Sequence, residues 1–274
     1  MLLVSEHDRG EPSEEPHTSL SVEKKHSRDD LFGGAGNASV QGTVSWNDVE
    51  RGPQSMPIGP ACLDVGIERA LPIRRGHSYQ HRRNYEGHYW CAGTGRHVWY
   101  ESMTEYTALM HLDHTERLSA VATQPVCLYF ADGSRHYPDF FALHESGEKV
   151  MYDVRPLELV DKAAEDQFVK TSQVCERIGW GYAVLHGVTG LQRHNLEWLA
   201  AYRHPWNCPT EGDRSQLLAF LEEPQTLADA ARLLDLKHPA RRVHLIYHLM
   251  WRREITYNDS LPLNWATPLG RSDV

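Results

Sequence analysis

The chain has 274 residues, 41% apolar and 24% charged, enough for one large or two small domains with a real core. Twenty-eight Lys and Arg against 37 Asp and Glu give a net charge of −9, which excludes a uniformly basic nucleic-acid binder but not local basic patches. No apolar run approaches membrane-spanning length, and five scattered cysteines without a CxxC argue against both a disulfide framework and a Cys-type zinc site.

The first residues, MLLVSEHDRGEPSEEP, pair a four-residue apolar start with a run of acids, which is no secretory signal, so a reducing cytoplasm is the expected setting. Residues 1–60 hold ten acids, five bases and few large apolar side chains. Such a segment buries too little apolar surface to offset chain entropy, which predicts a mostly disordered lead. Residues 61–100 form a basic, aromatic lead-in. Within it, residues 69–97 carry Arg69, Arg74, Arg75, Arg82, Arg83 and Arg96 against a single acid, Glu86, with Tyr79, Tyr85, Tyr89 and Trp90 interleaved.

Residues 101–205 read as one α/β unit. A helix is expected over 101–112, with Met103, Tyr106, Leu109 and Met110 near one stripe. A β-branched and aromatic strand at 119–130 ends at the turn signal Asp132-Gly133, a second strand covers 135–143, and a third, 149–155, stops at Pro156. A helix at 160–178, a strand at 179–187 and a helix at 191–203 complete a mixed sheet flanked by helices.

After Pro205 three helices are expected, at 213–223, 226–236 and 239–253, followed by a strand pair, ITYN and LNWA. Three helices and a hairpin over 206–274 predict a winged helix-turn-helix domain. A second basic island lies here, with Arg232, Lys237, Arg241, Arg242, Arg252 and Arg253 against Asp235. The DNA- or partner-binding candidates are Arg74, Arg75, Arg82, Arg83, Arg96, Arg241, Arg242, Arg252 and Arg253.

The chemistry centres on Pro138-Asp139 and Asp153-Val154-Arg155, separated by one hairpin. Asp153 and Arg155 share a strand face, and the hairpin folds Asp139 beside them. Paired carboxylates on adjacent strands make a hard oxygen site for Mg²⁺ or Mn²⁺, and a neighbouring cation stabilises charge on phosphorus. This is a PD…(D/E)xK nuclease pattern with arginine at the lysine position. Taken alone, the pattern recurs by chance. Glu101 and Glu105, one helical turn apart, add carboxylates in front of the sheet, and Gln124-Pro125 marks a kink or edge within a strand.

The run 94–105 (TGRHVWYESMTE), together with Gln124-Pro125, Tyr137-Pro138-Asp139-Phe140, Asp153-Val154-Arg155-Pro156 and Asn195-Leu196-Glu197-Trp198-Leu199, resembles the motif series of TnsA-like endonucleases. These are subunits of heteromeric transposases within the restriction-endonuclease-like superfamily. The resemblance spans roughly 85–270 and implies a restriction-endonuclease-like core followed by a winged-helix domain. It implies that Glu105 and Asp139 are catalytic metal ligands, that Asp153, where some members carry glutamine, adds a third charged ligand, and that Arg155, at the usual lysine, is catalytic. Glu101 and Gln124 are accessory candidates.

The activity so implied is metal-dependent cutting of the non-transferred strand, at the 5′ ends of a transposon. The implied partners are DNA, a DDE-type transposase and an AAA+ ATPase regulator. Arginine stays charged and cannot accept a proton. Two other readings therefore stand beside this one: a catalytically silent DNA-binding scaffold of the same complex, and a stand-alone restriction or repair nuclease.

Overall fold

The computed structural model describes residues 42–74 and 85–272. In chain order, β1 (Gly42–Asp48) and β2 (Gly52–Pro57) form a hairpin, and β3 (Gly87–Cys91) and β4 (Arg96–Tyr100) form another. Helix α1 (Met103–Thr115) leads into β5 (Leu118–Thr123), β6 (Val126–Phe130), β7 (Arg135–His136), β8 (Phe140–His144) and β9 (Lys149–Val154). Then come α2 (Lys162–Ile178), β10 (Gly181–Leu185) and α3 (Gly190–Ala200). The last part is α4 (Glu211–Phe220), β11 (Gln225–Thr226), α5 (Leu227–Leu234), α6 (Val243–Trp251), β12 (Ile255–Thr256) and β13 (Pro268–Arg271).

The result is a mixed α/β architecture of sheets flanked by helices. The central sheet has the order β10-β9-β8-β5, with β10 parallel to β9 and the other pairs antiparallel. Alternation along its strands divides the core into two. Phe140, Ala142, Val150 and Tyr152 face α1 and α3, while Phe141 and Met151 face α2 and the second sheet, β2-β1-β6-β7. Among the described residues no helix is long and apolar enough to cross a membrane.

Several expectations are corrected. Residues 42–60, expected within the disordered lead, form β1, β2 and a short 3-10 turn. Val44 and Trp46 alternate inward with Thr43, Ser45 and Asn47, and β1 gains a second partner in β6. That long-range pairing supplies the burial that local composition lacks. Residues 1–41 lie outside the described part.

The strand expected at 119–130 is two strands in different sheets. The chain breaks at Gln124, which adopts φ 43°, and at Pro125, which has no N–H for a ladder. The 135–143 strand is likewise interrupted between β7 and β8, at Tyr137-Pro138-Asp139.

In the C-terminal part β12 pairs with β13 at 268–271, not with 263–266, and β13 also takes β11 to give the order β11-β13-β12. The expected helix 239–253 is a 3-10 turn (Pro239–Arg241) followed by α6. Every residue from Leu245 to Trp251 is buried. Leu249 and Trp251 belong to the same core cluster as α1 and α3. Across this junction His114 Nδ1 meets the Trp251 carbonyl at 2.9 Å, and Asn195 Nδ2 donates to the carbonyls of Asp259 and Leu261, both at 2.8 Å. The Asn195 contacts tie α3 to the long loop between β12 and β13.

Candidate active site

At one end of the central sheet, backbone groups of four strands line up. The Gln124 amide donates to the Asp139 carbonyl at 2.8 Å, and the Asp139 amide to the Tyr152 carbonyl at 3.1 Å. Beyond them the Arg155 amide donates to the Leu185 carbonyl at 2.9 Å. The Asp139 side chain completes this edge, its Oδ2 accepting from the Val154 amide at 2.7 Å. Burial, then the charges of Asp153 and Glu105, push the Asp139 carboxyl well above the usual carboxylate range. The Val154 amide and Arg74 act in the opposite direction. Asp139 therefore stands between two further acids.

Glu105 is held by the start of α1. Ser102 caps the helix, accepting from the Glu105 amide at 3.2 Å, and its hydroxyl donates to Glu105 Oε1 at 3.0 Å. Glu105 Oε2 accepts from the Glu101 amide at 2.8 Å. This is a capping box drawn one residue further back than usual. It fixes the rotamer of a side chain that is buried in front of the sheet. Burial raises the Glu105 carboxyl pKa, with the Glu101 charge adding to the rise and the Ser102 and backbone hydrogen bonds opposing it. The Ser-Met-Thr-Glu spacing carried this capping signal in the sequence, and the sequence reading passed over it.

Glu101 is also buried, and Gln124 Nε2 donates to its Oε2 at 2.6 Å. Gln124 is wholly buried, and its left-handed backbone just before a proline is a strained conformation that the surroundings must hold. The Ile73 amide does so by donating to the Gln124 carbonyl at 2.9 Å.

Asp153 shares a face with Met151, and both its oxygens are taken. His136 Nε2 lies 2.9 Å from each, and the Tyr182 hydroxyl donates to Oδ2 at 2.6 Å. Gln167 Nε2 adjoins His136 Nδ1 at 2.6 Å. Burial and Asp153 push the Tyr182 phenol far up, which keeps it a neutral donor. His136, Gln167 and Tyr182 were not among the sequence-derived candidates. Their partner sits on another strand or helix, so no local spacing marks them.

The cations fall differently from expectation. The exposed Arg155 side chain donates from Nε to the Leu159 carbonyl at 2.9 Å. Arg74 instead reaches the acids. Its guanidinium is 3.6 Å from Glu101 Oε2, 3.4 Å from Gln124 Oε1 and 5.3 Å from the Tyr137 ring centre. Arg96 is exposed at the start of β4, and Arg75, Arg82 and Arg83 lie outside the described residues. Arg241 is exposed before α6, and Arg242 pairs with Asp213 at 2.5 Å. Arg252 and Arg253 are exposed just past the α6 C-terminus.

Among the described residues no three His, Cys, Asp or Glu side chains are grouped to hold a metal ion by themselves. The carboxylates of Glu105 and Asp139 are hard oxygen donors of the kind Mg²⁺ takes one or two at a time, keeping several waters for the rest of its shell. The donor set fits such an ion. No protein-family model matches the chain, and no curated protein matches it significantly.

Proposed function

We propose that this chain is a divalent-metal DNA endonuclease similar to the TnsA-like subunits, cutting the non-transferred strand at the 5′ ends of a transposon. The observation that carries the reading is the placement of Asp139. It is a half-buried carboxylate at the open end of two paired strands, within electrostatic reach of the buried Glu105 and Asp153. Clustering buried acids costs stability unless a cation compensates them, and perturbed carboxylates of this kind concentrate at functional sites.

The topology supports the same reading. The helix α1, the antiparallel strands β5, β8 and β9, and the crossover helix α2 leading to β10 parallel to β9 are the arrangement expected of a restriction-endonuclease-like core, with β6 and β7 given to the second sheet. The order α4-β11-α5-α6-β12-β13, with β13 central in its sheet, is compatible with the winged helix this reading expects. Because α6 is buried in the chain's own core, this domain would meet DNA or a partner through the arginines at the helix ends, not through the helix face.

In this reading Glu105 and Asp139 hold Mg²⁺ or Mn²⁺, which when bound polarises the phosphate and lowers the pKa of a bound water. Ser102 and the Glu101 amide orient Glu105, and the Val154 amide orients Asp139. Asp153, expected as a third ligand, is instead engaged at both oxygens by His136 and Tyr182 and adds charge behind Asp139. The partners implied are a DDE-type transposase and an AAA+ regulator.

One observation favours a silent scaffold instead: Arg155 donates to the Leu159 carbonyl and, among the described residues, pairs with none of the acids. The test is nicking of a transposon-end duplex in Mg²⁺ or Mn²⁺, with and without the transposase. Metal-dependent nicking that Asp139→Ala abolishes supports the nuclease. Binding without nicking under every condition supports the scaffold.

A further inference from the structure

A nuclease site of this kind needs a positive charge near the phosphate, and the residue at the expected position does not face the acids. A different arginine does. Residues 71–73 are laced to the folded core at two points. The Leu71 amide donates to the Asn47 carbonyl of β1 at 2.9 Å, and the Ile73 amide donates to the Gln124 carbonyl at 2.9 Å. Asn47 Nδ2 adds a bond to the Pro72 carbonyl at 3.3 Å. These anchors deliver the next residue, Arg74, to the end of the sheet. There Nε faces Gln124 Oε1 and one terminal nitrogen faces Glu101 Oε2.

A guanidinium carries five N–H donors, and among the described residues these two contacts engage at most two of them. The Arg74 side chain is 52% exposed while that of Glu101 is 9% exposed, so the arginine covers the acids from the solvent side, where a DNA phosphate would arrive. Its charge also opposes the rise in the carboxyl pKa of both Asp139 and Glu105.

We propose that Arg74, carried in by the 71–74 segment, supplies the fixed positive charge of this site, pairing with the scissile phosphate in the place the sequence pattern assigns to Arg155. This rests on the endonuclease reading above and names a catalytic residue for it. In the hydrolysis, a bond forms between a water oxygen and phosphorus and one phosphorus–ester oxygen bond breaks. The water releases a proton to bulk solvent, and the departing oxygen takes one from it. Arg74 neither gives nor takes a proton; it holds charge against the phosphate oxygens through the transition state.

The experiment uses the full chain, a supercoiled plasmid nicked in Mn²⁺, and Mn²⁺ binding measured by calorimetry without DNA. Arg74→Ala should lower the nicking rate by about 100-fold or more. It should also tighten Mn²⁺ binding, because a cation beside the carboxylates has gone, a change no general loss of fold would produce. Arg74→Lys should recover part of the rate, and Arg155→Ala should lose far less than Arg74→Ala. If Asp139→Ala is inactive but Arg74→Ala nicks like the wild type, or if Arg155→Ala loses as much as Arg74→Ala, the proposal is wrong and the endonuclease reading stands. If wild type binds no Mn²⁺ and nicks no more than Asp139→Ala, the endonuclease reading itself fails, and this inference with it.

Discussion

The Val154 amide donates to Asp139 Oδ2 at 2.7 Å, so a catalytic candidate also serves as a structural clasp between β8 and β9. The bond needs only an oxygen acceptor, not a charge. The charge is what the fold resists, through burial and the neighbouring Asp153 and Glu105.

Asp139→Asn should therefore raise stability while abolishing cleavage. The folded-state pKa of Asp139 is raised above its unfolded value, so its ionisation costs stability as pH rises through the folded pKa. Asparagine keeps the acceptor for Val154 and removes that cost. At pH 8 without metal, the variant should melt above the wild type, by about 1 kcal/mol or more. The gap should shrink toward pH 4, where both carry a neutral side chain. Added Mg²⁺ should stabilise the wild type alone. Equal melting temperatures at pH 8 in metal-free buffer would show that Asp139 is not under electrostatic strain.

Gln124 predicts a contrast between two substitutions. Its φ of 43° costs an ordinary residue about 1–2 kcal/mol, a cost glycine does not carry. Gln124→Ala keeps the strain and loses the bond to Glu101. Gln124→Gly loses the same bond but relieves the strain. Thermal unfolding should place Gln124→Gly above Gln124→Ala by about 1 kcal/mol, with cleavage reduced in both because Glu101 and Arg74 each lose their bond to Gln124. The reverse order of stability would mean that the left-handed backbone at 124 is not intrinsic to the fold.

The site was unevenly legible in the sequence. Glu105, Asp139 and Gln124 were marked because each sits in a short motif whose spacing implies its place on a helix, a hairpin or a kink. The rest depends on pairings that sequence spacing does not carry. Asn47 and Ile73 place Arg74 from opposite ends of an irregular segment, and the β1–β6 pairing beneath them spans some eighty residues. Tyr182 meets Asp153 because β10 lies parallel to β9 after a long crossover, and His136 reaches it from β7 of the other sheet. The helical period of 239–253 was clear. Which face was buried was not, because Leu245 to Trp251 are enclosed on all sides.

The junction between the two parts should weaken in mild acid. Burial lowers the His114 pKa to about 4, and its ring meets the Trp251 carbonyl and lies 4.9 Å from the Trp251 ring. A histidine depressed from an unfolded value near 6.5 contributes stability that is fully present above about pH 6.5. That stability is lost as pH falls, because the unfolded chain then binds the proton first. The loss approaches about 3 kcal/mol near pH 4. His114→Gln retains a donor for Trp251 without a titration in this range. Denaturant melts between pH 7 and 4 should fall more steeply for wild type than for His114→Gln. Parallel curves would show that His114 titrates normally in the folded protein.

Arg253 separates a DNA-facing role from a structural one. It closes α6 in the left-handed conformation, φ 57°, with the Glu254 amide returning to the Leu249 carbonyl at 2.9 Å. That is the position helices usually give to glycine, as α2 does with Gly179 at φ 96°. Arginine there costs about 1 kcal/mol relative to glycine. With Arg117 and Arg252 it lines a cavity of about 540 Å³ between the end of α1 and the C-terminal sheet. Arg253→Gly should therefore keep the fold and raise the melting temperature by roughly 2–4 °C. If this arginine contacts a phosphate in the transposon-end complex, the same change should weaken DNA binding and reduce the magnitude of its salt slope by about one. Fluorescence anisotropy across a salt series, with the transposase present, measures that slope beside the melting curve. A stabilised variant with an unchanged slope would remove Arg253 from the DNA interface, and a destabilised one would show that its side chain is itself part of the packing at the junction.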